Sequence, residues 1–396
     1  MTTTVSSSTN SSTNSSTNSS TNSSTGGSAG GPATGAAFLA STPETVRWGF
    51  LPNAAAEPVL RVAAGTAVTV DTVSHEGALE DQGRDPVAYF GSHGVRPEEI
   101  PADQVAIAAS GLEHRFDAGP HIVTGPIQVD GAVAGDVLRV RVADLELRAA
   151  FGVISNRHGL GCLAGEFPEG TVRQPDADKD HPERYGSVLT FTRTRTVGGV
   201  DYGVLPFGNP GLPNAEAVFP LAPFLGIMGV APDTTAPVGS VPPGAHGGNH
   251  DVAMLGAGST FYLPVQVDGG LFYVGDPHYA QGDGEVALTA LEAPLRATVV
   301  LDVLKGHDAD RVIGALREPF GETDRYWLPI GMDRDLDEAM RKATRAAIGF
   351  LSTRVGMSRA TAMAYLSAAA DFAVSQVVDD VKGVHCKIRK SDFPAL

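Results

Sequence analysis

The chain has 396 residues, of which 42% are hydrophobic and 19% are charged, so it can bury a sizeable core in one large domain or two tightly joined ones. Its formal net charge of −16 argues against nucleic acid and anionic membrane surfaces as partners, whereas a small neutral substrate is indifferent to it. The two cysteines, Cys162 and Cys386, indicate no disulfide framework, and no signal peptide or long apolar run is present. We therefore expect a cytoplasmic protein.

The N-terminal segment, residues 1–37, repeats Asn-Ser-Ser-Thr and then becomes rich in glycine. It carries no charged side chain and few apolar ones, so it cannot bury enough surface to offset the entropy of ordering. The sequence predicts a disordered tail over 1–37 and a folded region over 38–396.

The folded region begins with two β-rich runs, Val59–Val62 and Thr66–Val73, which predict a hairpin that delivers Asp71 and His75. On a continuous strand these two residues would lie about 13 Å apart, so the chain must turn after Val73 if both bind one metal. A solvent-facing histidine at a strand end is the alternative. Residues 77–104 then predict a long ordered loop.

Two further segments carry reactive residue types. His114, Asp117 and His121 surround a Gly-Pro turn, where His121 could line a cleft but a hydrogen-bonded structural histidine is favoured. In the following glycine-rich loop, Cys162 near Glu166 allows a thiolate nucleophile, but no suitably placed lysine accompanies them, so a packing role is expected for Cys162.

Polar residues are densest around a second predicted hairpin, in which strands at Phe261–Val267 and Leu271–Val274 flank an Asp-Gly-Gly turn. Such a hairpin would bring both polar flanks to the same end of a sheet. The flanks contain His246, Asn249, His250 and Asp251 on one side, and Asp276, His278, Gln281, Asp283 and Glu285 on the other.

Helical periodicity occurs only near the C-terminus. Asp335 begins one amphipathic helix, and Ser358 caps a second, more apolar helix that runs to about Val378. The expected fold is mainly β: a jelly-roll-like β-sandwich core with an accessory β/α portion that carries these two late helices.

Four segments in order, GPIQVDGAVAGDVLRVRV (125–142), FPLAPFLGIMGVAP (219–232), HGGNHD (246–251) and VGDPHYAQGDGE (274–285), resemble the hallmark segments of the acetamidase/formamidase family. The resemblance extends from Phe38 to the C-terminus and implies that 38–396 is a catalytic domain of this type. It further implies a homo-oligomer that hydrolyses short linear amides, such as formamide or acetamide, to ammonia and a carboxylate.

The chemistry of amide hydrolysis requires a polarised carbonyl, an activated water or nucleophile, and a proton for the departing ammonia. The chain lacks a GxSxG elbow and a nitrilase signature but is rich in clustered histidines and carboxylates, which favours metal assistance, with zinc as the first choice. The candidate residues follow: catalytic Glu285 (the general base), His278 and Asp251; substrate-binding Asn249, Gln281 and His246; and metal-binding Asp71, His75, Asp251 and His278.

Some positions depart from the family pattern, notably His250, Pro277 and Tyr279, and the loop with His93, together with His114, is a candidate for reshaping the pocket around a bulkier amide. Two alternatives stay open. One is a metal-independent hydrolase of another small C–N compound. The other is a non-catalytic ligand-binding β-sandwich, although aromatic residues are only 7% and not grouped.

Overall fold

A computed structural model describes residues 36–115, 118–157, 160–170, 173–208, 211–315 and 318–395. The tail predicted for 1–37 lies outside these residues except for Ala36 and Ala37, which belong to the first strand. The first eleven strands are β1 (Ala36–Leu39), β2 (Val46–Trp48), β3 (Phe50–Leu51), β4 (Leu60–Ala63), β5 (Thr66–Asp71), β6 (Ile122–Asp130), β7 (Val137–Leu147), β8 (Phe151–Asn156), β9 (Val188–Val197), β10 (Val200–Pro206) and β11 (Glu216–Pro220). The others are β12 (Phe224–Gly229), β13 (Val238–Gly239), β14 (Gly247–Asn249), β15 (Thr260–Pro264), β16 (Phe272–Ala280), β17 (Leu291–Glu292), β18 (Leu295–Leu304), β19 (Phe320–Glu322), β20 (Tyr326–Asp333), β21 (Asp371–Gln376) and β22 (Lys382–Arg389).

Two large sheets organise these strands. The first has nine strands in the order β1-β5-β18-β7-β15-β19-β20-β22-β21. The second has eleven, with the main order β11-β10-β9-β8-β17-β16-β12-β14 and with β6 joining β16 to β2 and β4. The largest apolar cluster contains buried side chains from both sheets, for example Val70 and Val140 from the first and Val274 and Met228 from the second. The expected mainly β fold is confirmed, and the core lies between two sheets; the jelly-roll connectivity stays a prediction.

Two predicted hairpins are wrong, for the same physical reason. β4 pairs with β6 in the second sheet, whereas β5 pairs with β1 and β18 in the first. Likewise β15 belongs to the first sheet and β16 to the second. A glycine turn allows the chain to reverse but does not determine whether the next strand pairs with the previous one or crosses the core to the opposite sheet.

The helices are α1 (Pro86–Ser92), α2 (Ala102–Ala109), α3 (Gly306–Ile313), α4 (Leu336–Phe350) and α5 (Arg359–Ala369). The first two occupy part of the segment predicted as a loop, so the expectation that helices occur only late is wrong. The caps of the late helices are as predicted, because Asp335 and Ser358 accept hydrogen bonds from the backbone N–H groups of Glu338 and Thr361. The predicted extension of α5 to Val378 is wrong, since that stretch forms β21. Among the described residues, no helix is long and apolar enough to span a membrane.

Candidate active site

Three neighbouring strands position much of one polar cluster. Its members are His75, His121, Asp251, Asp276, His278, Glu285, Glu292 and Asp379. β12 lies between β14 and β16, with Ile227 opposite Asn249 and Phe224 opposite His278. The two polar segments therefore meet across β12 rather than across a hairpin. Gly226, in the middle of β12, leaves the space that their side chains occupy: a Cβ there would lie 2.4 Å from Asp276 Oδ2 and 2.6 Å from Asp251 Oδ1.

Four acidic residues of the cluster have a left-handed backbone conformation that side chains other than glycine rarely adopt. Their φ angles are +47° at Asp251, +51° at Asp276, +47° at Glu285 and +52° at Asp379. Such conformations are costly and concentrate at functional sites, where the surrounding fold enforces them. The carboxylates are thus held in one place by a strained backbone.

A cavity of about 550 Å³ opens onto this cluster. Of the residues predicted for the site, His75, Asn249 and Glu285 line the cavity, and Asp276, His121 and Glu292 line it beside them. His278 and Asp251 are fully buried and are not among its lining residues, so they lie behind the wall.

One group of the cluster consists of His75, His121 and Asp276. Asp276 Oδ1 lies 4.0 Å from His75 Nδ1 and 3.6 Å from His121 Nε2. The outer nitrogen of His121 is also held, with Nδ1 at 2.9 Å from Ser240 Oγ, whereas His75 Nε2 lies 3.5 Å from Glu76 Oε1. A second partner on the outer nitrogen is how proteins fix the orientation of a metal-binding histidine.

A second group surrounds His278. Its Nε2 lies 2.8 Å from Glu292 Oε1, 3.0 Å from Asp276 Oδ2 and 4.0 Å from Glu285 Oε1. Burial disfavours the charged imidazole, but Asp276 and Glu292 raise the pKa of His278 well above its ordinary value. Burial likewise opposes ionisation of Asp276, yet His278 and His121 lower its pKa well below its ordinary value. His278, behind the cavity wall, therefore pairs with Asp276, which lines it.

A third group consists of Asp251, Glu285 and Asp379, whose carboxylates lie within 4.8 Å of one another. Burial, reinforced by Asp276, raises the pKa of Asp251 well above its ordinary value, and burial with Asp251 does the same for Glu285. Burial and the charge of Asp276 raise the pKa of Asp379 to about 8. Without a cation, these carboxyl groups cannot all be ionised at neutral pH.

Many buried polar atoms of the cluster have no hydrogen-bond partner within the protein. Such atoms are rare in native structures, and a missing ion or water is one of their physical explanations. They are Asp251 Oδ1 and Oδ2, Asp276 Oδ1, His278 Nδ1, Glu285 Oε2, Glu292 Oε2 and Asn249 Oδ1. The described residues therefore include buried acidic and histidine groups with the donor set of a metal site.

A buried ion-pair network of Arg157, Glu76 and Asp81 lies along one side of the cavity. Arg157 donates to both oxygens of Glu76, at 2.7 and 2.8 Å, and to Asp81 at 2.7 Å. Burial opposes ionisation of Glu76, but Arg157 and His75 lower its pKa well below the ordinary value. Beside this network, burial and Asp276 raise the pKa of Glu292 to about 7, against the opposing effect of His278.

The structure does not bring every predicted residue to the cavity. Asp71 instead accepts two hydrogen bonds from Arg296, at 2.7 and 3.0 Å, because β5 and β18 place the two side chains opposite each other. Its assignment as a metal ligand is therefore corrected. Gln281 Nε2 donates to the carbonyls of Asp251 and Ser375. The His246 ring lies beside two glycines, since a Cβ at Gly244 or Gly248 would approach it to 3.0 or 2.9 Å.

Of the other residues with reactive side chains, some line the cavity and others do not. Cys162, for which a packing role is expected, is exposed and lines the cavity together with its loop neighbours Leu160, Gly161 and Ala164. His114 also lines the cavity, whereas His93 stacks on Phe191 with ring centroids 4.5 Å apart. Asp117 lies outside the described residues.

Sequence reasoning assigns no role to four members of the cluster. Glu292 and Asp379 stand in segments without a motif, His121 is favoured as a structural histidine, and Asp276 is named only as part of a polar flank. The only available signal was residue type at a strand end, since β16, β17 and β21 each end close to one of the acidic residues.

Comparisons with known proteins bear on this site. Residues 235–388 match the model of the Acetamidase/Formamidase family, a range that contains Asn249, Asp251, Asp276, Glu285 and Glu292. A formamidase of Methylophilus methylotrophus is 30% identical over 201 residues, which are 42% of this chain and 47% of that protein. An acetamidase of Mycolicibacterium smegmatis is 28% identical over 226 residues, or 47% and 54% of the two chains. The match thus spans about half the length of these relatives.

Solved structures are similar over most of the chain. The acetamidase of Bacillus halodurans is 25% identical with a TM-score of 0.65, covering 90% of this chain and 98% of that one. The acetamidase of Yersinia enterocolitica is 24% identical with a TM-score of 0.67, covering 91% and 94%, and this likeness concerns the fold alone. The resemblance predicted from the sequence is confirmed by these matches.

Proposed function

We propose, from the relationship of this chain to the acetamidase/formamidase family, that it is an amidohydrolase that cleaves the C–N bond of linear amides to give ammonia and a carboxylate. The observation that carries the proposal is the convergence of histidine and carboxylate side chains, many without partners, at one end of a cavity. The family match covers most of these residues.

We further propose that His75, His121 and Asp276 hold a divalent metal, with zinc as the first choice. Two zinc bonds of about 2.1 Å at a tetrahedral angle place their donor atoms about 3.4 Å apart, close to the spacing of these donors. All three residues line the cavity, so a metal held by them would be accessible from it. Asp251 and His278, which form the adjoining group with Asp276, are the alternative ligands. When bound, such a metal supplies Lewis acidity and lowers the pKa of a bound water.

The chain's own residues supply proton transfer and orientation. Glu285 lines the cavity with an unpartnered carboxylate oxygen and is the proposed general base, while Glu292 lies on the same wall. His278 Nε2 lies 4.0 Å from Glu285 Oε1 and 2.8 Å from Glu292 Oε1, and it is a positioning residue whose positive charge favours the ionised form of both glutamates. Asn249 lines the cavity and donates through Nδ2 to Asp379 at 2.9 Å, which leaves its Oδ1 for the amide N–H of a substrate.

The test combines ammonia release from small amides with elemental analysis of the purified protein, with and without chelator. Glu285→Gln is expected to abolish turnover while fold and bound metal persist; retained activity would remove Glu285 from the base role. Full activity in metal-free protein would favour the metal-independent hydrolase. Binding without turnover across the panel would favour the ligand-binding alternative. Size measurement tests the proposed homo-oligomer, and cell fractionation tests the proposed cytoplasmic location.

A further inference from the structure

The cavity is larger than a short amide requires. Its volume of about 550 Å³ lies within the range of about 300–1,000 Å³ that is typical of pockets for drug-sized ligands. Formamide and acetamide have only a few heavy atoms and would leave most of this space to water. A cavity matched to them would end close to the polar cluster.

Apart from its histidines and charged residues, much of the cavity wall is apolar. This apolar wall includes Leu79, Leu160, Tyr185, Val241, Leu288 and Val378. Apolar walls of this kind bind an apolar group by removing its surface from water, at a gain of about fourfold in affinity for each buried methylene.

Charged side chains elsewhere in the lining already have partners. His114 contacts Glu80 at 2.9 Å, Arg157 donates to Asp81 at 2.7 Å, and Asp380 pairs with Arg334. Lys382 Nζ donates to the backbone carbonyl of Asp380 at 3.3 Å. A charged substituent on the substrate would therefore have to compete with an existing ion pair or hydrogen bond. A neutral substituent meets no such cost.

We propose that the substrate is a neutral amide with a medium-sized apolar group, aliphatic or aromatic, that occupies this wall, rather than formamide or acetamide. The inference rests on the proposed function. In the reaction, water adds to the carbonyl carbon, the C–N bond breaks, and the nitrogen leaves as ammonia, or as an amine if the apolar group is on the nitrogen.

The first experiment compares kcat/KM for formamide, acetamide, butyramide, hexanamide, phenylacetamide and N-hexylacetamide, with ammonia or hexylamine as the measured product. We expect kcat/KM to rise by about fourfold per methylene along the acyl series or, for the nitrogen side, to be highest for N-hexylacetamide. Highest values for formamide and acetamide would overturn the inference while leaving the proposed function intact. Turnover of none of the amides would overturn both.

The second experiment narrows the cavity through Cys162. This residue is exposed and lines the cavity, whereas Cys386 is fully buried, so a thiol reagent should reach Cys162 selectively. Benzyl methanethiosulfonate adds a bulky group there, and methyl methanethiosulfonate adds a small one. Cys162→Ser is the matched unreactive control.

We expect the benzyl label to lower kcat/KM for the favoured bulky amide by at least about tenfold and that for acetamide by less than about twofold. The methyl label should change kcat/KM for either amide by less than about twofold. A reducing agent should remove the benzyl label and restore activity, and neither reagent should alter the activity of Cys162→Ser. Equal loss for both amides, or no loss for the bulky one, would overturn the assignment of the apolar wall to the substrate.

Discussion

Gly226 tests whether the packing of β12 sets the geometry of the cluster. It is buried in the strand, and its φ lies outside the positive range, so alanine is compatible with the backbone. The new methyl group would nevertheless lie 2.4 Å from Asp276 Oδ2, 2.6 Å from Asp251 Oδ1 and 2.8 Å from His278 Cε1. Since comfortable contacts begin near 3.5 Å, these side chains must retreat by about 1 Å.

A displacement of about 1 Å in a catalytic group typically costs about a hundredfold in rate, and overpacking costs about 1–3 kcal/mol of stability. We therefore expect Gly226→Ala to lower kcat/KM by about a hundredfold and to reduce the bound metal, with cooperative unfolding retained. The assay is product release from the preferred amide, with metal content and thermal unfolding measured on the same preparation.

Gly282→Ala is the matched control. It lies near the proposed base in sequence, but a Cβ there has open space within 4 Å, and its φ also lies outside the positive range. We expect activity and metal content close to those of the unmodified chain. If Gly226→Ala were as active as this control, the positions of Asp276 and Asp251 would not depend on the space that Gly226 leaves, and the geometric argument for the site would be refuted.

Three further changes probe separate parts of the molecule. Asp276→Asn should remove the metal, whereas Asp71→Asn should leave the metal content unchanged because Asp71 faces Arg296. Elemental analysis of both variants tests this, and metal loss in Asp71→Asn would contradict the exclusion of Asp71 from the ligands. Arg157→Met should lower the free energy of unfolding in urea by about 3–5 kcal/mol because it leaves the buried carboxylates of Glu76 and Asp81 without their partner. A change below about 1 kcal/mol would contradict this. Burial lowers the pKa of His385 from 6.5 to about 4, so the unfolded chain gains a proton first as pH falls. The free energy of unfolding should thus fall by up to about 3 kcal/mol between pH 6.5 and 4, and by less in His385→Asn. Equal pH dependence of the unfolding free energy in the unmodified chain and in His385→Asn would refute this role of His385.

Local patterns in the sequence predicted strands and helix caps better than they predicted strand pairing. Asp335 and Ser358 cap helices as expected, because a cap depends on neighbours three residues away. The hairpins failed because pairing partners are chosen by burial across the whole core. β16 is almost completely buried on both faces, which no turn signal reveals.

In the candidate site, too, local features are predictable from the sequence and contacts between distant strands are not. Segments around Asn249 and Glu285 were identified from residue type and family resemblance, and the fold does bring them together. Asp71 was misassigned because spacing along the chain cannot show that Arg296 lies opposite it on β18. Glu292 and Asp379 were missed because their role arises only from contacts between distant strands.

The strained carboxylates and the raised pKa values have a common physical origin. The fold holds Asp251, Asp276, Glu285 and Asp379 together in left-handed conformations, although each would be more stable apart and in water. Apart from the ion pair with His278, no described cation faces Asp251 or Glu285 closely enough to offset that repulsion. A bound divalent ion would turn this repulsion into attraction, so the stability of the folded chain should rise with metal concentration, as it does whenever a ligand binds only the native state.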